Sequence, residues 1–316
     1  MSLAFVFPGQ GSQSVGMQAE LGAVYSVVPE TYAEAGDVLG FDLQALVENG
    51  PAEELNATVN TQPAMLAAGV AAWRAWESAG GSTPEMMAGH SLGEYTALVC
   101  AGALDFADAL RLVRRRAELM QNAVPAGEGA MAAVLGLDDQ AIIEVCSQVS
   151  GGGVAEAVNF NSPGQVVVAG HREAIEQMVV AAKAAGAKRA ILLPVSVPSH
   201  SSLMLPAGEK LAESLAETAF SECGIPVVCA ADATLYGDAE DIRQRLGRQI
   251  YSPVRWVDVI NYCTSQGIGR IAECGPGKVL TGLIRRIDRG IAASCIDSPD
   301  LIAELLGEIS INGANE

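Results

Sequence analysis

Aromatic residues make up only 5% of this 316-residue chain, histidine occurs three times, and 19 Lys and Arg face 37 Asp and Glu. Each shortage excludes something. With few aromatics, the core must be built mainly from Ala, Val, Leu and Ile; half of all residues are apolar, ample material for burial. A formal charge of −18 repels nucleic acid and anionic membrane, so neither is an expected partner. Any acidic ligand must instead be met by a local basic patch. Nowhere do about 18 to 20 apolar residues run unbroken, so no membrane span is expected. The start, Met1-Ser2-Leu3-Ala4-Phe5-Val6-Phe7-Pro8, lacks a basic region and a long apolar stretch, and reads as a strand rather than a secretory leader. The seven cysteines are odd in number and scattered, with no CxxC pair and no Cys/His cluster. Reduced thiols in a cytoplasmic protein, with no metal site, are the simple reading.

Strand and helix patterns alternate along the rest. The apolar run at residues 3–7 ends at Pro8-Gly9-Gln10-Gly11-Ser12-Gln13, a strand entering a Gly-rich turn. Apolar residues recur at helical spacing over residues 61–79. Met86-Met87-Ala88 then leads into Gly89-His90-Ser91-Leu92-Gly93, and residues 94–101 read as a helix. A helix over 105–122 has Asp105 as its N-cap. Past Pro125-Ala126-Gly127 the order becomes strand 130–135, helix 138–149, a Gly151-Gly152-Gly153 loop, hairpin 154–159 and 165–169, helix 172–185, strand 190–195. That βαββαβ order is the split-βαβ, ferredoxin-like unit. Helices over 203–218, 239–249, 254–266 and 279–286 follow, with strands at 226–229 and 270–273. The fold class expected is α/β: an α/β-hydrolase-like large domain around a parallel sheet, with an inserted ferredoxin-like small subdomain. The large domain would comprise residues 1–127 and 198–316, and the insert residues 128–197.

Gly89-His90-Ser91-Leu92-Gly93 fits GxSxG, the nucleophile elbow. Its glycines permit a turn tight enough to hold Ser91 strained above the sheet, at a helix N-terminus that favours developing negative charge. The pentapeptide alone is weakly specific; between an apolar run and a helix it is much stronger. A serine nucleophile needs a base, and three histidines allow elimination. His90 adjoins the nucleophile and points away in such an elbow. His171, at a helix start in the small subdomain, reads as a solvated or capping residue. His200, in Val197-Pro198-Ser199-His200-Ser201, lies where the chain returns to the large domain and is well placed to line a cleft. No acid partner for it can be chosen among 37 carboxylates. A carbonyl could orient the imidazole as well, giving a dyad instead of a triad.

Phe7-Pro8-Gly9-Gln10-Gly11-Ser12-Gln13, Gly89-His90-Ser91-Leu92-Gly93-Glu94-Tyr95, Pro198-Ser199-His200 and Gly275-Pro276-Gly277 together resemble the malonyl-CoA:acyl carrier protein transacylases of bacterial type II fatty acid synthesis. The likeness runs in order and spacing from residue 3 to about residue 290. It implies a malonyl ester on Ser91, with His200 as general base and acid, and no cofactor beyond the CoA and phosphopantetheine of the substrates. It implies an oxyanion hole made by the backbone N–H groups of Gln10 and Leu92. It implies that Arg116, in Arg114-Arg115-Arg116, holds the free malonyl carboxylate through a bidentate pair. Helical geometry turns neighbours by about 100°, so one of the three arginines faces the cleft, and spacing alone does not say which. Gln249 matches the position whose main-chain carbonyl orients the histidine, and Asn159 and Asn161 match a loop bordering the cleft.

A buried arginine without an anion is costly, so such a site selects a carboxylate-bearing acyl group over acetyl. Malonyl and methylmalonyl differ by one methyl, worth about 1 to 3 kcal/mol in an apolar pocket. The implied partners are malonyl-CoA and holo acyl carrier protein, with the enzyme a monomer. An acidic carrier docking on an acidic chain needs a basic rim, for which Lys183, Lys188, Arg189, Lys278, Arg285, Arg286 and Arg289 are candidates. Two rival readings are a serine esterase or thioesterase and an inactive carrier-binding scaffold. The first requires a histidine near the C-terminus, and none follows His200. Against the second stands the joint presence of Ser91, His200 and Arg116.

Overall fold

The structure, a computed structural model, describes residues 2–149, 153–195 and 197–313. Gly151 and Gly152 of the expected glycine loop lie outside the described residues. Strands β1 (Leu3–Phe7) and β2 (Met86–Gly89) begin one sheet. Strands β3 (Gly129–Leu135), β4 (Ala155–Ser162), β5 (Gln165–His171) and β6 (Arg189–Leu192) make another. Strands β7 (Val227–Cys229), β8 (Thr234–Leu235), β9 (Arg270–Glu273) and β10 (Ala292–Cys295) return to the first.

The large sheet has the order β10-β9-β1-β2-β7-β8, parallel throughout except at the β7–β8 edge. Its centre is buried on both faces, which is why β1 reads as an unbroken apolar run. Leu3, Phe5 and Phe7 face one core and Ala4 and Val6 the other. On the first face Phe5 meets Trp73 and Trp76 edge-on, at 5.7 and 5.3 Å between ring centroids. Those tryptophans come from the 21-residue helix Thr58–Ser78.

The second sheet has the order β4-β5-β3-β6 with every neighbouring pair antiparallel, and helices Asp139–Val149 and Arg172–Ala184 cover one face. This is the split-βαβ arrangement its element order implies. Two details differ from expectation where the sheets meet. Asn159-Phe160-Asn161-Ser162 is not a loop but the end of β4, which runs irregularly against β5. The helix expected from residue 254 begins at Trp256, because Val254 is spent on β4: its N–H reaches Val158 O at 2.8 Å and its carbonyl accepts from Phe160 N at 2.9 Å. Four helices between Ala19 and Asn56, β10 and the helix Pro299–Gly313 had no sequence counterpart.

Candidate active site

The ends of β1 and β2 lie side by side, Phe7 opposite Gly89, so both following turns open over the centre of the sheet. At Ser91 the backbone has φ 54°, a strained value for a non-glycine residue, and the helix Gly93–Cys100 starts two residues later. Both flanking glycines are forced by close approach. A Cβ on Gly89 would lie 2.0 Å from Glu94 N, and one on Gly93 would lie 2.0 Å from Phe7 O. Gly9 is pressed on the same turn, its Cβ position 2.6 Å from His90 O and 3.8 Å from Leu92 N. Gln10 therefore stands beside the elbow. Its side chain turns outward, where Oε1 accepts from Thr58 Oγ1 at 3.0 Å.

Ser91 Oγ lies 2.7 Å from His200 Nε2. The opposite ring nitrogen, Nδ1, faces two main-chain carbonyls, Gln249 O at 3.0 Å and Ser252 O at 3.1 Å. Two acceptors at Nδ1 require the proton there, which leaves Nε2 free to accept from the serine. His200 is itself held at φ 66°, its N–H bonded to Ile250 O at 3.0 Å. Burial, and then the nearby Arg116 guanidinium, push its pKa down to about 3, so the imidazole is neutral at ordinary pH.

Of the three consecutive arginines, only Arg116 turns inward. Arg114 and Arg115 both reach Glu118 on the outer face of helix Phe106–Gln121, at 3.3 and 3.9 Å. Arg116 is 1% exposed. It donates from Nη1 to Gln62 Oε1 (2.8 Å), and from Nη2 to Gln249 Oε1 (3.1 Å) and Ser91 Oγ (3.2 Å). Among the described residues no carboxylate pairs with it within 4 Å, and its Nε has no partner. An arginine buried among neutral oxygens is a cation waiting for an anion.

Gln249 is the hub of the cluster. Besides its carbonyl contact to His200 and its Oε1 contact to Arg116, its Nε2 donates to Ser91 O (2.8 Å) and to Glu94 Oε2 (2.9 Å). The side chain thus does as much as the main chain, which the resemblance did not imply. Gln62, Glu94 and Ser252 were missed altogether. Gln62 had a signal, being the one glutamine in the Ala-rich apolar helix Thr58–Ser78. Nothing local marks Ser252, which contributes only a carbonyl.

Asn161 Oδ1 meets His90 Nε2 at 2.8 Å, and His90 stacks obliquely on Trp256. Asn159 has a buried Oδ1 without a partner among the described residues. His171 remains in the small sheet, its Nδ1 accepting from Val154 N. Burial pushes the Cys223 and Cys295 thiols up to about 11, away from competing nucleophilic forms. Among the described residues, no group of His, Cys, Asp and Glu could hold a metal ion and no helix is long and apolar enough to cross a membrane.

With this geometry in hand, the chain can be set beside known proteins. A family model described as Acyl transferase domain matches residues 4–257. A malonyl CoA-acyl carrier protein transacylase of Escherichia coli K12 is 56% identical over 303 residues, covering 96% of this chain and 98% of the relative. Its Bacillus subtilis namesake is 44% identical, covering 95% of each. An acyl carrier protein S-malonyltransferase from Vibrio cholerae superposes with a TM-score of 0.94 at 52% identity, over 96% of this chain and 100% of that one. A malonyl-transacylase solved with its type II polyketide acyl-carrier protein gives 0.96 at 52% identity, over 98% and 100%. The chain belongs to the acyl transferase family, among its malonyl CoA-acyl carrier protein transacylases.

Proposed function

We propose that this enzyme transfers malonyl from malonyl-CoA to the phosphopantetheine thiol of holo acyl carrier protein, through a malonyl ester on Ser91, and so supplies the extender unit for fatty acid synthesis. The observation that carries the cargo is Arg116, buried without a carboxylate partner 3.2 Å from Ser91 Oγ. A malonyl group esterified there brings the missing anion within reach of the guanidinium.

The steps follow from the site. Ser91 Oγ attacks the thioester carbonyl while His200 Nε2 takes its proton, and Gln249 O and Ser252 O steady the imidazolium through Nδ1. The tetrahedral oxyanion is met by the N–H groups of Gln10 and Leu92 at the paired strand ends. The C–S bond breaks, and the CoA sulfur leaves with the proton from His200. The carrier thiol then repeats the sequence in reverse, giving its proton to His200 as its sulfur attacks the ester. No cofactor takes part. Asn159 and Asn161, at the end of β4, border the path to Ser91.

The chain divides, in this reading, into a large domain of residues 1–127 and 198–316 and a small subdomain of residues 128–197, with the carrier docking at their junction as a partner of a monomeric cytoplasmic enzyme. The seven basic residues singled out for its docking rim are all exposed, and Arg286 reaches Gln165 at the start of β5 at 2.6 Å. Incubation with radiolabelled malonyl-CoA followed by acid trapping tests the reaction. The parent enzyme should carry acid-stable label that holo carrier protein discharges. No label on the parent, or label persisting in Ser91→Ala, would overturn the assignment.

A further inference from the structure

Glu94 has no part in the chemistry above, yet it is 0% exposed in the first turn of the helix that follows Ser91. Its carboxylate collects three donors: Tyr236 O–H on Oε1, and Gln249 Nε2–H at 2.9 Å and Ala230 N–H at 3.4 Å on Oε2. Burial raises its pKa, and those donors oppose the rise.

What Glu94 settles is the orientation of the Gln249 amide. A primary amide has two hydrogens and one carbonyl oxygen. One hydrogen goes to Ser91 O and the other to Glu94, so Oε1 is left facing Arg116 Nη2. A flipped amide would set NH2 against a guanidinium, donor to donor, and turn Oε1 toward two acceptor oxygens. With Oε1 and Gln62 Oε1 as its two neutral acceptors, Arg116 is held beside Ser91 with no carboxylate in direct contact, the Glu94 charge acting on it only through space.

We propose that Glu94 is a positioning residue that locks the Gln249 amide, aims Arg116 at the acyl carboxylate and so sets the preference for carboxylate-bearing acyl groups without touching substrate. The inference rests on the malonyl-transfer reading above. A Glu94 that merely held the fold would, when replaced, lower the folded fraction and reduce every acyl transfer in proportion. A positioning Glu94 affects malonyl selectively.

The test compares steady-state transfer from malonyl-CoA and from acetyl-CoA in the full-length enzyme and two variants. Glu94→Asp keeps the charge but withdraws the carboxylate from Gln249; the malonyl-over-acetyl ratio of kcat/KM should fall about tenfold, carried by the malonyl-CoA KM, as outer partners of a ligand-holding group usually do. Glu94→Gln can still accept from Gln249 and Ala230 through its oxygen, with its NH2 turned to the Tyr236 oxygen. It should restore the ratio to within about threefold of the parent. An unchanged ratio in folded Glu94→Asp overturns the proposal. If that variant does not fold, Gln249→Met carries the test, since it deletes the amide and keeps the main-chain carbonyl. A parental ratio there overturns the proposal equally. A parent enzyme with no malonyl transfer would instead sink the underlying reaction, so the two failures are distinguishable.

Discussion

Arg116 Nη2 lies 3.2 Å from Ser91 Oγ, on the same oxygen that His200 Nε2 meets at 2.7 Å. In the proposed reaction the cation that would recognise the acyl group adjoins the atom that would receive it, within one hydrogen-bond cluster.

Replacing that cation should separate acyl groups. In Arg116→Ala, malonyl transfer should fall by roughly 10- to 150-fold, because a charge-assisted pair contributes about 1.5 to 3 kcal/mol and each 1.36 kcal/mol is tenfold. Acetyl transfer, which never uses the guanidinium as a counter-ion, should fall far less. Transfer assays with both thioesters check this, and equal losses would remove the carboxylate role.

The pH profile carries the mark of the same neighbourhood. With His200 pushed down to about 3, kcat/KM should stay level as pH falls through about 6.5, where an ordinary imidazole becomes half protonated. Deleting the Arg116 charge lets the pKa rise, so Arg116→Met should move the acid limb to higher pH. Stability runs in a definite direction too. Because the folded pKa lies below the unfolded one, the unfolded chain binds the proton first. The His200 contribution is therefore least costly above about pH 6.5 and grows destabilising as pH drops toward 3. Rate profiles and thermal melts from pH 8 to 5 check both statements.

Much of this was legible in the chain. Gly89 and Gly93 announced the elbow because close backbone contact leaves no room for a Cβ, and β1 announced itself because both of its faces are buried. Three histidines left few candidates for a base, and the structure sets His200 against Ser91. Gln62, Glu94 and Ser252 were hidden for a physical reason: their contacts depend on chain segments that approach only in three dimensions. Two of them act through neutral or main-chain oxygens that leave no compositional trace. Three of the four helices between Ala19 and Asn56 are five to seven residues long, and the fourth, Val27–Leu39, is interrupted in sequence by Pro29 and Gly36. The resemblance put Asn159 and Asn161 on a loop, whereas the pairing of β4 with β5 continues to Ser162.

Glycine substitutions should report on the elbow directly. Gly93→Ala puts a Cβ 2.0 Å from Phe7 O and should cost more than about 3 kcal/mol with loss of acylation. Gly282→Ala, in the helix Val279–Ile287 with nothing within 4 Å, should instead stabilise by about 0.5 to 1 kcal/mol. Denaturant melts of the two variants check the contrast.

Kinetics with both substrates should be ping-pong, since one serine serves each thiol in turn. Double-reciprocal plots at several fixed carrier concentrations should be parallel. Intersecting lines would require both thiols to be bound at once, contrary to a free malonyl-enzyme.

Val254 ties β4 to the segment leading into helix Trp256–Ser265 by two backbone hydrogen bonds, and two residues earlier Ser252 O receives the His200 Nδ1–H. The carbonyl that holds the imidazole therefore sits two residues from a backbone anchor on the small sheet, so the site and that sheet share one stretch of chain.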